Sequence, residues 1–512
     1  MARSHEFTRR LLGTTVLLAA VSPLLMDQAV GQTGPATTSS LSSRRAADPG
    51  PRTDTTSVGC FLPGLSSVEQ EFFFAGGFTF AEVDSSVDEG QPGAIDDAAN
   101  SPGLPHGTAQ GMTTLCPNDP AHTRTKAREN DGGLGPRFNA DSCGTCHAHP
   151  AVGGSSPAHN PQVDLANRDG GNNTVPSFIS ANGPVREARF INVPGTNTPD
   201  GGVHDLFVLT GRTDAPGCNI AQPNFAQAVR QNNVIFRIPT PTFGAGLVEN
   251  TTDSELLDKS VALSSQQHSL GIVSGFFNHV VADHFNRSGN DGTITRFGWK
   301  AQNKSLLIFA GEAYNVEQGI SNEAFPNERE DDPHCQFKGT PNDSTELVPD
   351  TVGPSPAASF SSDIVQFGGF MRFLAPPTPA APTASTTRGQ SAFNQIGCNL
   401  CHVETHTTST SVFTNQSNIV YHPYSDFALH GMGTGLQDQV SQGAANGQQF
   451  RSAPLWGVGQ RLFFLHDGRT SDLLTAIEDH ASNGSEANQV ISNFNSLNNG
   501  QQQDILNFLR SL

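Results

Sequence analysis

The pentapeptide C-x-x-C-H occurs twice in this chain. It reads Cys143, Cys146 and His147 in "DSCGTCHAHP", and Cys398, Cys401 and His402 in "IGCNLCH". No other feature restricts the fold and the chemistry as much. Two thiols three positions apart on one turn can form thioethers to the two vinyl groups of one haem, and the next residue brings its imidazole under the iron. A thioredoxin-like thiol pair does not require the adjacent His, and a zinc site needs two further ligands nearby. The repeat therefore predicts two covalently bound haem c groups. Cys143, Cys146, Cys398 and Cys401 are the attachment points, and His147 and His402 are the proximal ligands.

The remaining composition suits an exported protein. Residues 1–31 read as a signal peptide: Arg3, Arg9 and Arg10 precede an apolar stretch, Leu11–Leu25, too short and interrupted to span a membrane, and Ala29-Val30-Gly31 offers a cleavage site. The expected location is periplasmic or secreted, with no membrane span. A formal net charge of −19 excludes a nucleic-acid partner, because a phosphate backbone demands a basic footprint. The acidic surface suits a cationic redox partner. Of 8 Cys, the four outside the motifs are Cys60, Cys116, Cys218 and Cys335, an even set that predicts two disulfides with the pairing open.

Gly (52) and Pro (34) are abundant and hydrophobic content is 35%, which predicts extensive loops around modest cores. Residues 32–58 are expected to be a flexible linker, and 59–374 an N-terminal haem domain with extensions. The Pro/Thr-rich stretch 375–387 is a second linker, and 388–512 a compact C-terminal haem domain. "NNVIFRIPTPTF" has strand character. In "RGQSAFNQIGCNLCH", Gly389 and Phe393 stand where a helix preceding the ligand turn would place a small residue and a packing aromatic. "GLGPRFNADSCGTCH" offers Gly135 and Phe138 for the same purpose. The last helix aligns Ile505, Leu506, Phe508, Leu509 and Leu512 on one face.

Several longer stretches carry a resemblance. "GLGPRFNADSCGTCHAHPAVGGSSP", "RFGWKAQNKSLLIFAGEAYNVEQGISNE", "SDFALHGMGTGL", "FRSAPLWGVGQRLFFLHDGRTSDLLTAIEDH" and "ILNFLRSL" together resemble the di-haem oxidoreductase/peroxidase family, also labelled thiol oxidoreductase-like. That family is related to bacterial di-haem cytochrome c peroxidases and to rubber oxygenases. The resemblance covers roughly 132–512. It implies a mainly α, cytochrome c-like fold of two class I-type haem domains with minor β insertions.

The two haems are expected to differ on the far side of the iron. Leu473, Ala476, Ile477 and His480 fall on one helical face, capped by Thr470 or Ser471, so His480 is the candidate sixth ligand of the second haem. In the related peroxidases this position is often Met. Met432 and then His430 are the alternatives. A second imidazole gives a lower potential than a thioether would. His466 and Arg469 in "HDGR" are expected beside the haem propionates, and Trp456 as packing beside the same haem. At the first haem the resemblance implies Trp299 as an electron relay and Glu317 as the acid/base for peroxide cleavage, with Glu312 as the alternative. Tyr314 is a weaker redox candidate. His149 lies too near His147 to cross the ring, and loop residue His159 could serve as a removable ligand. A calcium ion is implied by the resemblance alone.

The expected activity is reduction of hydrogen peroxide, or activation of dioxygen, at the N-terminal haem. Electrons from a small cytochrome or cupredoxin would pass through a His/His C-terminal haem. Oxidation of a protein or polymer substrate, and electron transfer without catalysis, are the competing readings.

Overall fold

The computed structural model describes residues 45–54, 58–82, 84, 133–166, 173–209, 217–272, 275–279, 293–336, 341–345 and 361–512. The chain divides into two units, Met1–Arg44 and Arg45–Leu512. The first unit, and with it the expected signal peptide, lies outside the described residues. Among them no helix is long and apolar enough to cross a membrane.

The helices that position the site are α1 (Ser67–Phe80), α2 (Cys143–Cys146), α3 (Leu306–Ala313), α4 (Asp363–Phe373), α5 (Ala384–Ile396), α6 (Leu473–Glu478), α7 (Asn488–Ser496) and α8 (Asn499–Ser511). The strands that matter are β1 (Glu187–Phe190), β2 (Val234–Arg237), β3 (Leu429–Gly431) and β4 (Gln449–Arg451). Each pairs antiparallel in a two-stranded ribbon, β1 with β2 and β3 with β4.

Two helix crossings organise the unit. α1 starts at a capping box in which Ser66 Oγ accepts from the Glu69 amide and the Glu69 carboxylate accepts from the Ser66 amide. It crosses α4 at Gly76, where a Cβ would stand 2.3 Å from the Gln366 carbonyl oxygen. α5 crosses α8 at Gly389, where a Cβ would stand 1.9 Å from the Asp504 carbonyl oxygen. Only glycine permits approaches this close. From each crossing an aromatic reaches a motif histidine. Phe80 of α1 meets the His147 ring edge-on at 5.9 Å, and Phe393 of α5 lies 6.3 Å from the His402 ring. Phe370 of α4 and Phe508 of α8 back these aromatics at 5.0 and 5.5 Å.

Gly389 and Phe393 thus occupy the places expected of them, whereas Gly135 and Phe138 do not. Phe138 lies in a two-residue strand and is buried in a separate core with Phe190, Phe207 and Phe225. The helix that serves the first motif is α1, which ends more than sixty residues before Cys143. A long insertion separates helix from ligand turn, so adjacency in sequence pointed to the wrong residues.

Both expected linkers are more ordered than their composition suggests. In the first, Asp48 accepts from Arg510 Nε at 2.7 Å and Nη2 at 2.6 Å, and from the Leu473 amide at 2.8 Å. Residues 45–54 are therefore fastened to the C-terminal helices. In the second, Thr383 caps α5, so the helix begins inside the stretch 375–387. The C-terminal apolar face is as expected: Ile505, Leu506, Phe508, Leu509 and Leu512 are all buried. The strand reading of "NNVIFRIPTPTF" is met by β2. Cys218 and Cys335 form a disulfide, while Cys116 lies outside the described residues.

Candidate functional site: two cavities meeting at a tryptophan

Each motif opens onto a cavity. Cys143, Cys146 and His147 line one of about 1180 Å³, and Cys398, Cys401 and His402 line another of about 1400 Å³, open mouths included. All four motif cysteines are free thiols. α2 and the short turn Cys398–Leu400 present them. Gly397, at φ 102°, ends α5 in the left-handed conformation and turns the chain into the second motif.

The histidines are held in one tautomer. His147 Nδ1 lies 3.0 Å from the Gly154 carbonyl, and His402 Nδ1 lies 3.0 Å from that of Tyr424. A carbonyl only accepts, so Nδ1 carries the proton and Nε2 keeps its lone pair. A backbone carbonyl on the second nitrogen is the usual support of a metal-ligating imidazole. Burial pushes both imidazoles down to about 4, so they stay neutral and able to ligate.

His480 repeats the device. Its Nδ1 donates to the Ala476 carbonyl at 2.7 Å, and burial lowers its proton affinity. Leu473, Ala476, Ile477 and His480 all line the His402 cavity as the spacing predicted, although α6 ends at Glu478 and His480 follows it in a turn. The cap is Asp472, which accepts from the Thr475 amide at 2.7 Å, rather than Thr470 or Ser471. Thr470 is occupied in accepting from the Asp472 amide at 3.0 Å.

Met432 and His430 also line this cavity. His430 is held between the Asp426 and Glu486 carboxylates at 2.9 and 3.3 Å, which leaves it less available than His480. His466 lines the cavity as expected, stacked on Phe450 at 4.3 Å. Arg469 does not line it. Asp467 and the Gly435 carbonyl hold its guanidinium, because Asp467 competes from two residues away. Two other arginines, Arg451 and Arg461, do line it, and burial pushes both down to about 10. Arg451 sits on β4, in a stretch without a charge motif that could have singled it out. Trp456 is not at the cavity wall; it packs on Tyr421 at 5.8 Å in the core of α1 and α4.

The His147 cavity has different walls. Ala188 and Phe190 of β1 face a core, so alternation turns Glu187 and Arg189 the other way, into the cavity. Arg237 of β2, opposite Glu187 in register, joins them. From the other side α3 gives Glu312, and a π-helical turn, Tyr314–Gln318, gives Glu317. Such turns recur at functional sites and leave no sequence signature. Burial, followed by the nearby Glu187 and Asp205 charges, pushes the Glu317 carboxyl up to about 8. Burial raises Glu312 as well, although an Asn303 amide donates to it. Tyr314 points away and donates to Asp363 at 3.0 Å.

Among the described lining residues His147 is the single histidine of this cavity, whereas four line the other. His159 is not in the wall. It is half-exposed and paired with Asp164 at 3.1 Å. His149 is tied to the Gln460 carbonyl at 2.8 Å. Among the described residues no cluster of three or more His, Cys, Asp or Glu is placed to hold a metal ion. One residue, Trp299, lines both cavities. Its indole N–H donates to the Ile238 carbonyl at 2.8 Å, and its ring meets His466 at 6.4 Å.

These walls suit a haem. Each offers free paired thiols, an imidazole with a bare Nε2 and apolar surface. Each also has a buried arginine Nε without a hydrogen-bond partner, Arg186 and Arg237 in one and Arg451 in the other, as a propionate would require.

The model of the family described as "Di-haem oxidoreductase, putative peroxidase" matches residues 196–512. No curated protein matches the chain. Among solved structures, the chain is similar to a MauG-like protein associated with microbial copper homeostasis, at 17% identity and a TM-score of 0.26, over 54% of this chain and 90% of that one. It is also similar to hydrazine synthase of Kuenenia stuttgartiensis, at 17% identity and a TM-score of 0.21, over 31% of this chain and 58% of that one.

Proposed function

Because the chain belongs to the di-haem oxidoreductase family, we propose that it reduces hydrogen peroxide, or activates dioxygen, at the His147 cavity. Electrons enter through the His402 cavity. In this reading Cys143 and Cys146 hold one haem c and Cys398 and Cys401 the other, in two cytochrome c-like units on either side of 375–387. His147 would hold the iron of the first haem, and His402 with His480 that of the second. The protein is exported to the periplasm or beyond, and a small cytochrome or cupredoxin supplies electrons one at a time.

The observation that carries this reading is the asymmetry of the cavities. A second neutral imidazole lines the His402 cavity. The His147 cavity has instead a carboxyl group with its proton affinity near neutral pH. When bound, haem supplies the iron that takes up electrons and binds the peroxide oxygen. The chain supplies the rest. Glu317 takes the proton from the near peroxide oxygen and returns it to the far one, so that water leaves. Gln318 and Phe80 help to close the cavity around the reactants. Trp299, common to both walls, provides the contact through which charge crosses. The sum is one peroxide, two electrons and two protons giving two waters.

Carbon monoxide binding and electron paramagnetic resonance test the reading. One high-spin, ligand-accessible haem is expected beside one low-spin, inert haem. Two low-spin haems that ignore carbon monoxide would leave a pure electron carrier.

A further inference from the structure

Peroxide reduction consumes two protons from solvent, yet Glu317 only moves one proton between the two oxygens and regains its starting state. The two solvent protons go, with the two electrons, to the oxygen left after the first water leaves, and Glu317 can pass each on once a further group hands it over. Glu187 lies in the same wall, turned there by the β1 alternation that buries Ala188 and Phe190. Its side chain keeps 19% of its surface accessible. Its carboxylate is paired with Arg189, which also donates to the Gly201 carbonyl at 2.9 Å and so fixes the pair on the strand. Glu312, the other carboxylate in the wall, is held by the Asn303 amide.

We propose that Glu187 is the second acid–base group of this cavity, carrying protons from solvent to Glu317. The proposal rests on the reading of the cavity as the place where peroxide is reduced. Glu187 acts through Glu317 and is a positioning and relay residue, not one that touches peroxide. Its negative charge is second only to burial among the causes that hold the Glu317 proton. The other charged groups facing Glu317 are Arg189 from β1, Asp205, and Arg329, which pairs with Asp205 at 3.0 Å. Glu312 and Arg237 share the cavity wall. Glu187 and Glu317 line one cavity, and the Glu187 charge strengthens the hold of Glu317 on a proton handed to it.

The test uses the haem-loaded full chain and the variants Glu187→Gln, Glu187→Asp, Glu187→Ala and Glu317→Gln. With Glu187→Gln, kcat for peroxide should fall about tenfold with KM little changed, and the solvent deuterium isotope effect should rise. The pH midpoint of kcat should move down, since a like charge has gone. The carboxylic acid stretch of Glu317, followed by infrared difference spectroscopy, should titrate at the same lowered midpoint. Formate should restore turnover to Glu187→Ala, and Glu187→Asp should retain part of it, responses that a merely structural role would not give. If the Glu187 variants keep the wild-type kcat, isotope effect and pH midpoint while Glu317→Gln is inactive, the relay is overturned and the cavity reading stands. If Glu317→Gln turns over peroxide at the wild-type rate, the cavity reading itself fails.

Discussion

At the scale of single residues, the proposed chemistry rests on the electrostatics of the wall. The Glu317 carboxyl has a midpoint near 8 because burial and neighbouring carboxylates disfavour its charge. The form that accepts a peroxide proton is the carboxylate, so turnover should rise with pH through about 8. In Glu317→Gln the profile should be flat and the rate lower by about 10²- to 10⁴-fold, with unchanged haem spectra. His480 gives a second prediction. Replacing it by Met exchanges imidazole for thioether, so the potential of the second haem should rise in a potentiometric titration. An unmoved potential would remove His480 from the iron. Among individual residues, the place of His480 in the cavity wall was legible from the spacing of its segment, although α6 ends at Glu478, two residues before it. Arg451 and Arg461 were not, since no local pattern shows that the fold brings them to a cavity wall.

At the scale of elements, the two motifs share one device: a pair of helices crossing at a glycine, with an aromatic pressed on the motif histidine. Gly389 is expected to be intolerant of even a methyl group, because its Cβ would collide with backbone rather than with a movable side chain. Gly389→Ala should cost about 1–3 kcal/mol or more and lower the thermal midpoint of the holoprotein. A midpoint equal to wild type would show that α5 and α8 do not need this approach. The C-terminal copy of the device was readable because α5 runs directly into its motif. The first copy was misread, since α1 is separated from Cys143 by a long insertion and Gly135 and Phe138 merely stood nearby. Loop composition misled in the same way at 45–54, where Asp48 meets Arg510 more than four hundred residues later.

At the scale of the molecule, Trp299 links the cavities. Trp299→Phe keeps an aromatic but loses the indole N–H bond to Ile238. Electron transfer between the haems, followed by stopped-flow absorption after peroxide addition, should slow while both haem spectra hold. Unchanged transfer would place the route elsewhere. The resemblance singled out Trp299 and Glu317, but nothing local in the sequence shows that one would touch both cavities and the other only one. Likewise His159, expected as a loop ligand, is paired with Asp164, and β1, which precedes the residues that the family model matches, forms part of the His147 cavity wall together with β2.

The sequence by itself determined which thiols and which histidines come together at the two cavities, because each motif's residues lie within five positions of each other. It determined the apolar face of α8 for a related reason: helical periodicity is local. Only the tertiary structure decided how the two cavities differ. Their walls combine side chains from strands and helices more than a hundred residues apart, and the proton affinity of Glu317 arises from burial beside Glu187 and Asp205, a property of the packed molecule that no short stretch contains.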